Sequence, residues 1–404
     1  MLLVFYFLAA ISIYLGLLSL RSGIRFARYV RAELATRDHC FTPFVTVFLP
    51  VRGVDDGLRE NLNAILNQDY TPFEIIFVTD RAGDPALSVI NNARRSFTRT
   101  AGPAMQIVIA GETQDRGQKV HNLAAGIAHA HRRSEVFVFV DSDARPAKNW
   151  LHSLIAPLRD ENIGAATGYR WFIPTRARVA SHLLSVWNAA IASALGADGM
   201  KNFCWGGSTA ISRVTFEKCR VLDYWRGAAS DDFAMTRALH DAKLPIKFVP
   251  QCLTPSFQDC TWRELIEFTT RQLKITRSYA PHLWKSVFIG SAIFVITFFG
   301  GFALVVARAS TGRSFVVPLL LLLIMLAMGA LKSLLRLRAV SAMISETWTS
   351  SSIISHLTLW PLASALYLGN TIAAANSRRI SWRGISYELK SPNQTVIIDR
   401  QKSE

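Results

Sequence analysis

The sequence predicts an α/β domain built on a mostly parallel β-sheet, with membrane-spanning helices at both ends of the chain. Three observations carry this. Short apolar strands alternate with helices between residues 44 and 169, and that alternation makes βαβ units and a parallel sheet. Residues 1–20 hold no charged side chain and are long enough to span a bilayer, and further apolar runs follow residue 286. The run Val-Phe-Val-Phe-Val at 136–140 reads as a strand buried on both faces, and it stops at two carboxylates, Asp141 and Asp143.

Composition bounds the partners. The chain has 404 residues, half of them hydrophobic, and a net charge of +16. On a chain with membrane-length segments, such a charge points to anionic lipid surfaces and to the positive-inside rule. Nucleic acid is set aside, because no RNA-binding signature, zinc-finger spacing or helix-turn-helix pattern is present. The five cysteines (Cys40, Cys204, Cys219, Cys252 and Cys260) are odd in number and form no CxxC pair. They fit free thiols in a reducing compartment and give no metal site.

Taken in order, residues 1–20 lack the basic start and small-residue cleavage site of a signal peptide and read as a retained anchor. Arg21, Arg25, Arg28, Arg31 and Arg37 follow, against only Glu33 and Asp38, so the next domain, 21–285, is expected in the cytoplasm. Within it, strands are expected at 44–51, 73–79, 105–110 and 163–169. Helices are expected at 58–67, 87–97, 117–132 and 151–159. Leu58, Leu62, Ile65 and Leu66 share one helical face, which supports the first of these. Residues 179–195 fit a core helix or a helix lying in the membrane interface equally well. The basic amphipathic stretch 262–279 ends the domain. C-terminal membrane helices occupy 286–376, with apolar runs at 287–307 and 315–331 and a weaker one at 353–375 that contains His356, Pro361 and Asn370. Four full crossings would leave the basic tail, 377–404, outside, so one apolar stretch is expected to be re-entrant or interfacial.

The chemistry-bearing residues cluster at strand ends. In an open α/β sheet, ligands bind beyond the carboxyl ends of the strands. Asp141 and Asp143, one residue apart on a turning loop, can converge on one hard cation, Mg²⁺ or Mn²⁺, whose remaining oxygen ligands a nucleoside diphosphate would supply. Asp-Ser-Asp is also ordinary turn chemistry.

Over residues 43–257, the strand order and the carboxylates at strand ends resemble nucleotide-sugar glycosyltransferases of the family 2 type, with the fold known as GT-A. The resemblance implies that Asp80 or Asp84 binds the nucleoside. Gly117-Gln118-Lys119-Val120-His121-Asn122 is similar to the family's Lys-x-x-Asn element, which implies that Lys119 and Asn122 bind the donor, where a lysine at a helix start can neutralise a diphosphate. Gly206-Gly207-Ser208 is similar to a Gly-Ser element near the sugars. Ala229-Ser230-Asp231-Asp232 resembles an element whose last Asp is the catalytic base, here Asp232 with Asp231 beside it. A carboxylate within hydrogen-bond reach suffices to take the proton of an incoming hydroxyl. The same pair also suits a helix N-cap.

Arg271-Gln272-Leu273-Lys274-Ile275 stands where ceramide glucosyltransferases carry an Arg/Gln-x-x-Arg-Trp element, with Lys and Ile replacing Arg and Trp. Arg271 and Lys274 are thereby acceptor or diphosphate candidates, as are Gly207 and Ser208. The tail Trp382-Arg383-Gly384 resembles the Trp-Arg-Gly tail of the same proteins. The resemblance, to ceramide glucosyltransferase-like membrane enzymes of the family 2 and 21 type, implies an inverting transferase. It would move a hexose, glucose from UDP-glucose, onto a lipid hydroxyl such as that of ceramide, with a divalent cation as cofactor. Its setting would be the cytoplasmic face of a bacterial inner membrane, or of a Golgi or ER membrane. A hopanoid, a diacylglycerol or an extruded polysaccharide would keep the chemistry and change the acceptor. A non-catalytic membrane scaffold is the contrasting class, and three carboxylate sites in the right order argue against it.

Overall fold

The computed structural model describes residues 2–36, 41–97, 102–344 and 348–400; Arg37, Asp38 and Cys40 lie outside the described residues. The chain opens with α1 (Leu2–Ala35). There follow β1 (Val45–Pro50), α2 (Leu58–Leu66), β2 (Phe73–Thr79), α3 (Ala86–Ser96), β3 (Ala104–Ile109), α4 (Gln118–Ile127), β4 (Val136–Phe139), α5 (Trp150–Ile155), β5 (Ala165–Ile173) and α6 (Val179–Ala192). β6 (Thr209–Ser212) precedes α7 (Arg213–Lys218), α8 (Val221–Trp225) and α9 (Asp231–Asp241). β7 (Ile246–Phe257) leads into α10 (Trp262–Tyr279), α11 (Pro281–Ser310), α12 (Val316–Ser341), α13 (Ser350–Thr358) and α14 (Trp360–Asn376). The chain closes with β8 (Arg379–Trp382), β9 (Ile385–Ser391) and β10 (Gln394–Arg400).

These elements form two compact units. A sheet unit takes Ala32–Trp171, Leu195–Ser256 and Arg378–Glu404, and a helical unit takes Met1–Arg31, Phe172–Ala194 and Phe257–Ser377. The tail expected as a separate basic segment is therefore a folded part of the sheet unit. The domain expected at 21–285 includes interfacial helices, and the residues 172–194 and 257–285 group with the long apolar helices, against which their apolar faces pack.

The main sheet has seven strands in the order β3-β2-β1-β4-β6-β5-β7. β1 pairs in parallel with β2 and β4, β2 pairs in parallel with β3, and β6 runs antiparallel to β4 and β5. This is the mostly parallel sheet of the expected GT-A type. The strand order reverses beside β1, so β1 and β4 flank the topological switch point, where α/β sheets open a crevice for ligand. Period-two alternation splits the strands between two buried faces. Val45, Val47, Leu49, Val136 and Val138 pack with α2, α3 and α5. Phe48, Phe137 and Phe139 turn the other way, where Phe139 meets Phe216 and Trp225 at ring-centroid distances of 6.3 and 5.7 Å. β7 carries Pro250 and Pro255, which its place at the sheet edge tolerates because an edge strand leaves one row of N–H groups unpaired.

In the helical unit, three helices among the described residues are long and apolar enough to cross a membrane: α1, α11 and α12. α1 is unbroken for 34 residues and so continues well past the anchor expected at 1–20. The weak run at 353–375 is not one helix. It breaks at Leu359, where Pro361 opens α14, and neither α13 nor α14 reaches the ~20 residues a crossing needs. Crossings by α11 and α12 would put the segments before and after them on one side of a bilayer, in keeping with the tail's place in the sheet unit.

The ambiguity at 179–195 resolves as a core helix. Eleven residues of α6 are buried, and Trp187 stacks on Tyr367 at 4.9 Å. In this unit His356 Nε2 lies 3.1 Å from Ser185 Oγ, and Asn370 Oδ1 accepts from Thr270 at 3.1 Å.

Candidate active site

The carboxyl ends of β1, β2 and β4 bring their loops together. Arg52, just past β1, pairs with Asp80 at the end of β2, NH1 to Oδ2 at 2.9 Å. Asp80 is 3% exposed, and its Oδ1 is buried with no hydrogen-bond partner among the described residues. Asp84 is committed elsewhere. Both of its oxygens accept from the Gly53 backbone N–H at 3.0 Å, and Oδ1 also accepts from Ala86 N–H at the start of α3.

Lys119 is the centre of the site. It sits in the first turn of α4, and its Nζ lies 2.7 Å from Asp141 Oδ1 and 3.2 Å from Asp231 Oδ2. Burial alone would push the ammonium towards neutrality, but Asp141, Asp231 and Asp232 outweigh it and raise its pKa. Burial likewise pushes Asp141 up, and Lys119 wins and holds it below the usual carboxylate range. Gly206 makes the cluster possible: a Cβ there would stand 2.5 Å from Lys119 Nζ and 2.6 Å from Asp231 Oδ2.

α9 presents the second acidic pair. Ser230 caps it, and Asp232 Oδ1 accepts from the Phe233 N–H at 2.7 Å and from the Ser230 hydroxyl. Among the described residues, Asp232 Oδ2 receives only the Gly206 N–H, at 3.4 Å. The capping and catalytic readings of this pair are thus compatible.

Asp231 is pushed up to about 6, first by burial and further by Asp232 and Asp141, against the pull of Lys119. Because this pKa is raised in the folded protein, the group's contribution to stability is full below the ordinary carboxylate range and is lost as pH rises through about 6. The ionised form that pairs with Lys119 exists above that value. Turnover is expected to fall as pH drops through about 6, and Asp231→Asn should remove this limb from the kcat/KM profile. An unchanged limb in the variant would assign it to another group.

The other candidates are placed as follows. Asp143 pairs with Arg170 NH1 at 3.3 Å, and 39% of its side chain faces solvent. Asn122 is buried and accepts from Gln118 Nε2 at 2.9 Å. Ser208 is fully buried and accepts from the Trp150 indole at 2.8 Å. Gly207 lies against the Trp205 ring, which leaves no room for a Cβ. Arg271 and Lys274 belong to α10 in the helical unit, where the Arg271 guanidinium lies 5.4 Å from the Phe268 ring centroid. Arg277, of the same basic face, donates to the carbonyls of Ala374 and Ala375 and so caps the end of α14. Arg52, Asp55, Arg170 and Arg383 also border the site, and no local pattern had singled them out as ligand residues. Cys204, Cys219, Cys252 and Cys260 are free and buried.

The family model described as Glycosyl transferase family 21 matches residues 4–395. The chain belongs to glycosyl transferase family 21. Among solved structures, the mannosyltransferase PcManGT from Pyrobaculum calidifontis, in complex with GDP-Man and Mn²⁺, is 18% identical; the match covers 91% of this chain and 98% of that one, with a TM-score of 0.48. Glucosyl-3-phosphoglycerate synthase from Mycobacterium tuberculosis, in complex with Mn²⁺, UDP-Glc and glycerol 3-phosphate, is 15% identical; the match covers 62% of this chain and 83% of that one, with a TM-score of 0.37. Likeness of this degree assigns neither donor nor acceptor. The family assignment makes the protein a glycosyltransferase.

In this family 21 transferase, no three His, Cys, Asp or Glu side chains group as a metal site among the described residues. The donor set still fits a hard divalent cation. Three carboxylates surround the one ammonium of Lys119, and the Asp143 carboxylate is open at the rim. A Mg²⁺-like ion needs only one or two protein carboxylates when phosphate oxygens and water complete its shell.

Proposed function

We propose that this transferase moves a hexose, glucose from UDP-glucose, onto the hydroxyl of a membrane lipid such as ceramide, with inversion, at the cytoplasmic face. The observation that carries the reading is Lys119 held among Asp141, Asp231 and Asp232 at the carboxyl ends of the strands. Asp80, with its orphaned buried oxygen, binds the nucleoside; Asp84 instead ties the β1 loop to α3. Lys119 and Asp141 flank the diphosphate, and Asp141 with Asp143 would hold the cation. A bound divalent cation would neutralise charge on the departing diphosphate. The acceptor oxygen attacks the anomeric carbon from the face opposite the leaving group, its proton passes to Asp232 Oδ2, and the electron pair of the broken C–O bond leaves with UDP. The membrane helices support a lipid acceptor, and so does Ile275, which removes the aromatic platform on which a sugar acceptor would stack. The arginines that follow the N-terminal apolar run support a cytoplasmic site.

The test is UDP release by the purified protein given UDP-glucose and ceramide, with the product resolved by thin-layer chromatography. One sugar per lipid is expected, with loss of activity in excess chelator and recovery on adding Mg²⁺ or Mn²⁺. A ladder of several sugars would reject the single-transfer reading, and full activity in chelator would reject the cation.

A further inference from the structure

Strands β8–β10 bond to loops that border the donor cleft. The Tyr387 hydroxyl accepts from the Gln118 backbone N–H at 3.3 Å, one residue from Lys119. Arg400 donates to Gln118 Oε1 at 3.1 Å and to the Thr113 carbonyl. Thr395 Oγ1 donates to the Gly227 carbonyl at 2.7 Å, just before the Asp231-Asp232 pair, and Gly227 approaches Asn393 so closely that no Cβ would fit.

Arg383 is at the tip of the β8–β9 hairpin. Its φ is +51° and that of Gly384 is +73°, so both central residues of the two-residue turn are left-handed. That turn favours Asn-Gly, and a non-glycine residue with a long side chain holds it at a cost. Strain of this kind concentrates at functional sites. The Arg383 guanidinium forks onto Asp55, with NH1 2.5 Å from Oδ1 and NH2 2.8 Å from Oδ2. Asp55 Oδ2 in turn accepts from the hydroxyl of Ser142, the middle residue of Asp141-Ser142-Asp143, at 2.8 Å. The arginine is thus tied to the Asp-Ser-Asp loop through one carboxylate, and its charge acts on Asp141 and Asp143.

We propose that Arg383 is a donor-binding residue, meeting the diphosphate of the nucleotide sugar while Asp55 holds its planar fork in place. The inference rests on the reading of the cleft as a nucleotide-sugar site. Lys119 is already compensated by three carboxylates, so an arriving diphosphate needs further cations. Arg170 is engaged by Asp143, whereas the Arg383 side chain is 39% exposed. A guanidinium has five N–H donors; Asp55 and the Arg52 carbonyl use three of Arg383's, which leaves two for phosphate oxygens.

The test measures binding of UDP, GDP and uridine to the full chain in detergent by calorimetry, with melting temperature alongside. Arg383→Asn creates the favoured Asn-Gly turn, so the melting temperature should hold or rise. Affinity for the diphosphate that the wild type prefers should fall roughly 10- to 100-fold, the loss expected for hydrogen bonds to a charged group. Uridine affinity should not change, and Arg383→Lys should fall in between. Asp55→Asn leaves the arginine present and should lose less diphosphate affinity than Arg383→Asn. Equal losses in the two variants would reduce Arg383 to a brace for the Asp-Ser-Asp loop and overturn the proposal, as would unchanged diphosphate binding in Arg383→Asn. A joint drop in melting temperature and uridine binding would also overturn it. If the wild type bound neither UDP nor GDP, the reading of the cleft would fall first, and the proposal with it.

Discussion

Replacing Asp232 with asparagine should slow transfer roughly 10²–10⁴-fold, the contribution of a positioned general base, while donor affinity stays near that of the wild type. Asn keeps the side-chain oxygen that receives the Phe233 N–H and the Ser230 hydroxyl, so α9 keeps its start. The substitution removes basicity at Oδ2, the oxygen that receives the long Gly206 bond. Steady-state kcat set beside an independent donor Kd separates the two effects. Turnover within a few-fold of wild type would take Asp232 out of the mechanism. The neighbouring variant Asp231→Asn should differ in kind, because Asp231 is paired with Lys119 and its loss alters the pH profile.

Lys119→Met should be the most damaging single change. It removes the one cation that Asp141 and Asp231 share, and removing one partner of a buried pair costs about 3–5 kcal/mol. Proton uptake by Asp231, already lifted to about 6, relieves part of that cost and leaves the acidic cluster without its ammonium. Donor binding and turnover should both be lost, and the melting temperature should drop. Lys119→Arg keeps the charge but should rescue poorly. The space beside Nζ is so tight that a single carbon at Gly206 would stand 2.5 Å away, and a guanidinium is broader than an ammonium. A Lys119→Met protein that binds UDP at wild-type affinity and turns over would reject this role.

The sheet's centre was legible because its strands are buried on both faces and so read as unbroken apolar runs. β1, β2 and β4 are of this type, and the carboxylates beyond β2 and β4 mark the switch point. Strands of other kinds left weaker traces. β6 is Thr-Ala-Ile-Ser, with only two apolar residues, and β7 carries two prolines that argue against a strand unless its edge position is known. β9 does alternate, with Ile385, Tyr387 and Leu389 buried, but the hairpin is informative only once its distant partners are known. The site followed the same rule. Lys119, Asp141, Asp231 and Asp232 each lie on a local motif, and folding brought them into one cluster. Arg170 and Asp55 have their roles through side chains far away in the sequence, and short spacing holds no record of them. The Gly-Ser element illustrates the converse: its spacing suggests a place near the sugars, and holds no sign that the Ser208 hydroxyl accepts from the Trp150 indole.

The C-terminal strands also impose an order on biosynthesis. They are the last part of the sheet unit to leave the ribosome, and the whole stretch Phe257–Ser377, with α11 and α12, precedes them. Domains assemble during synthesis as their segments emerge. Until Arg378–Arg400 emerge, the first turn of α4 lacks its tyrosine and the Gly227 loop lacks its threonine. α11 and α12 are therefore made before the cleft can be completed. A nascent or truncated chain ending before Arg378 carries Lys119 and every aspartate of the cluster, yet it lacks the strands that fasten them. Synthesis itself thus delays a finished cleft until the long apolar helices have been made.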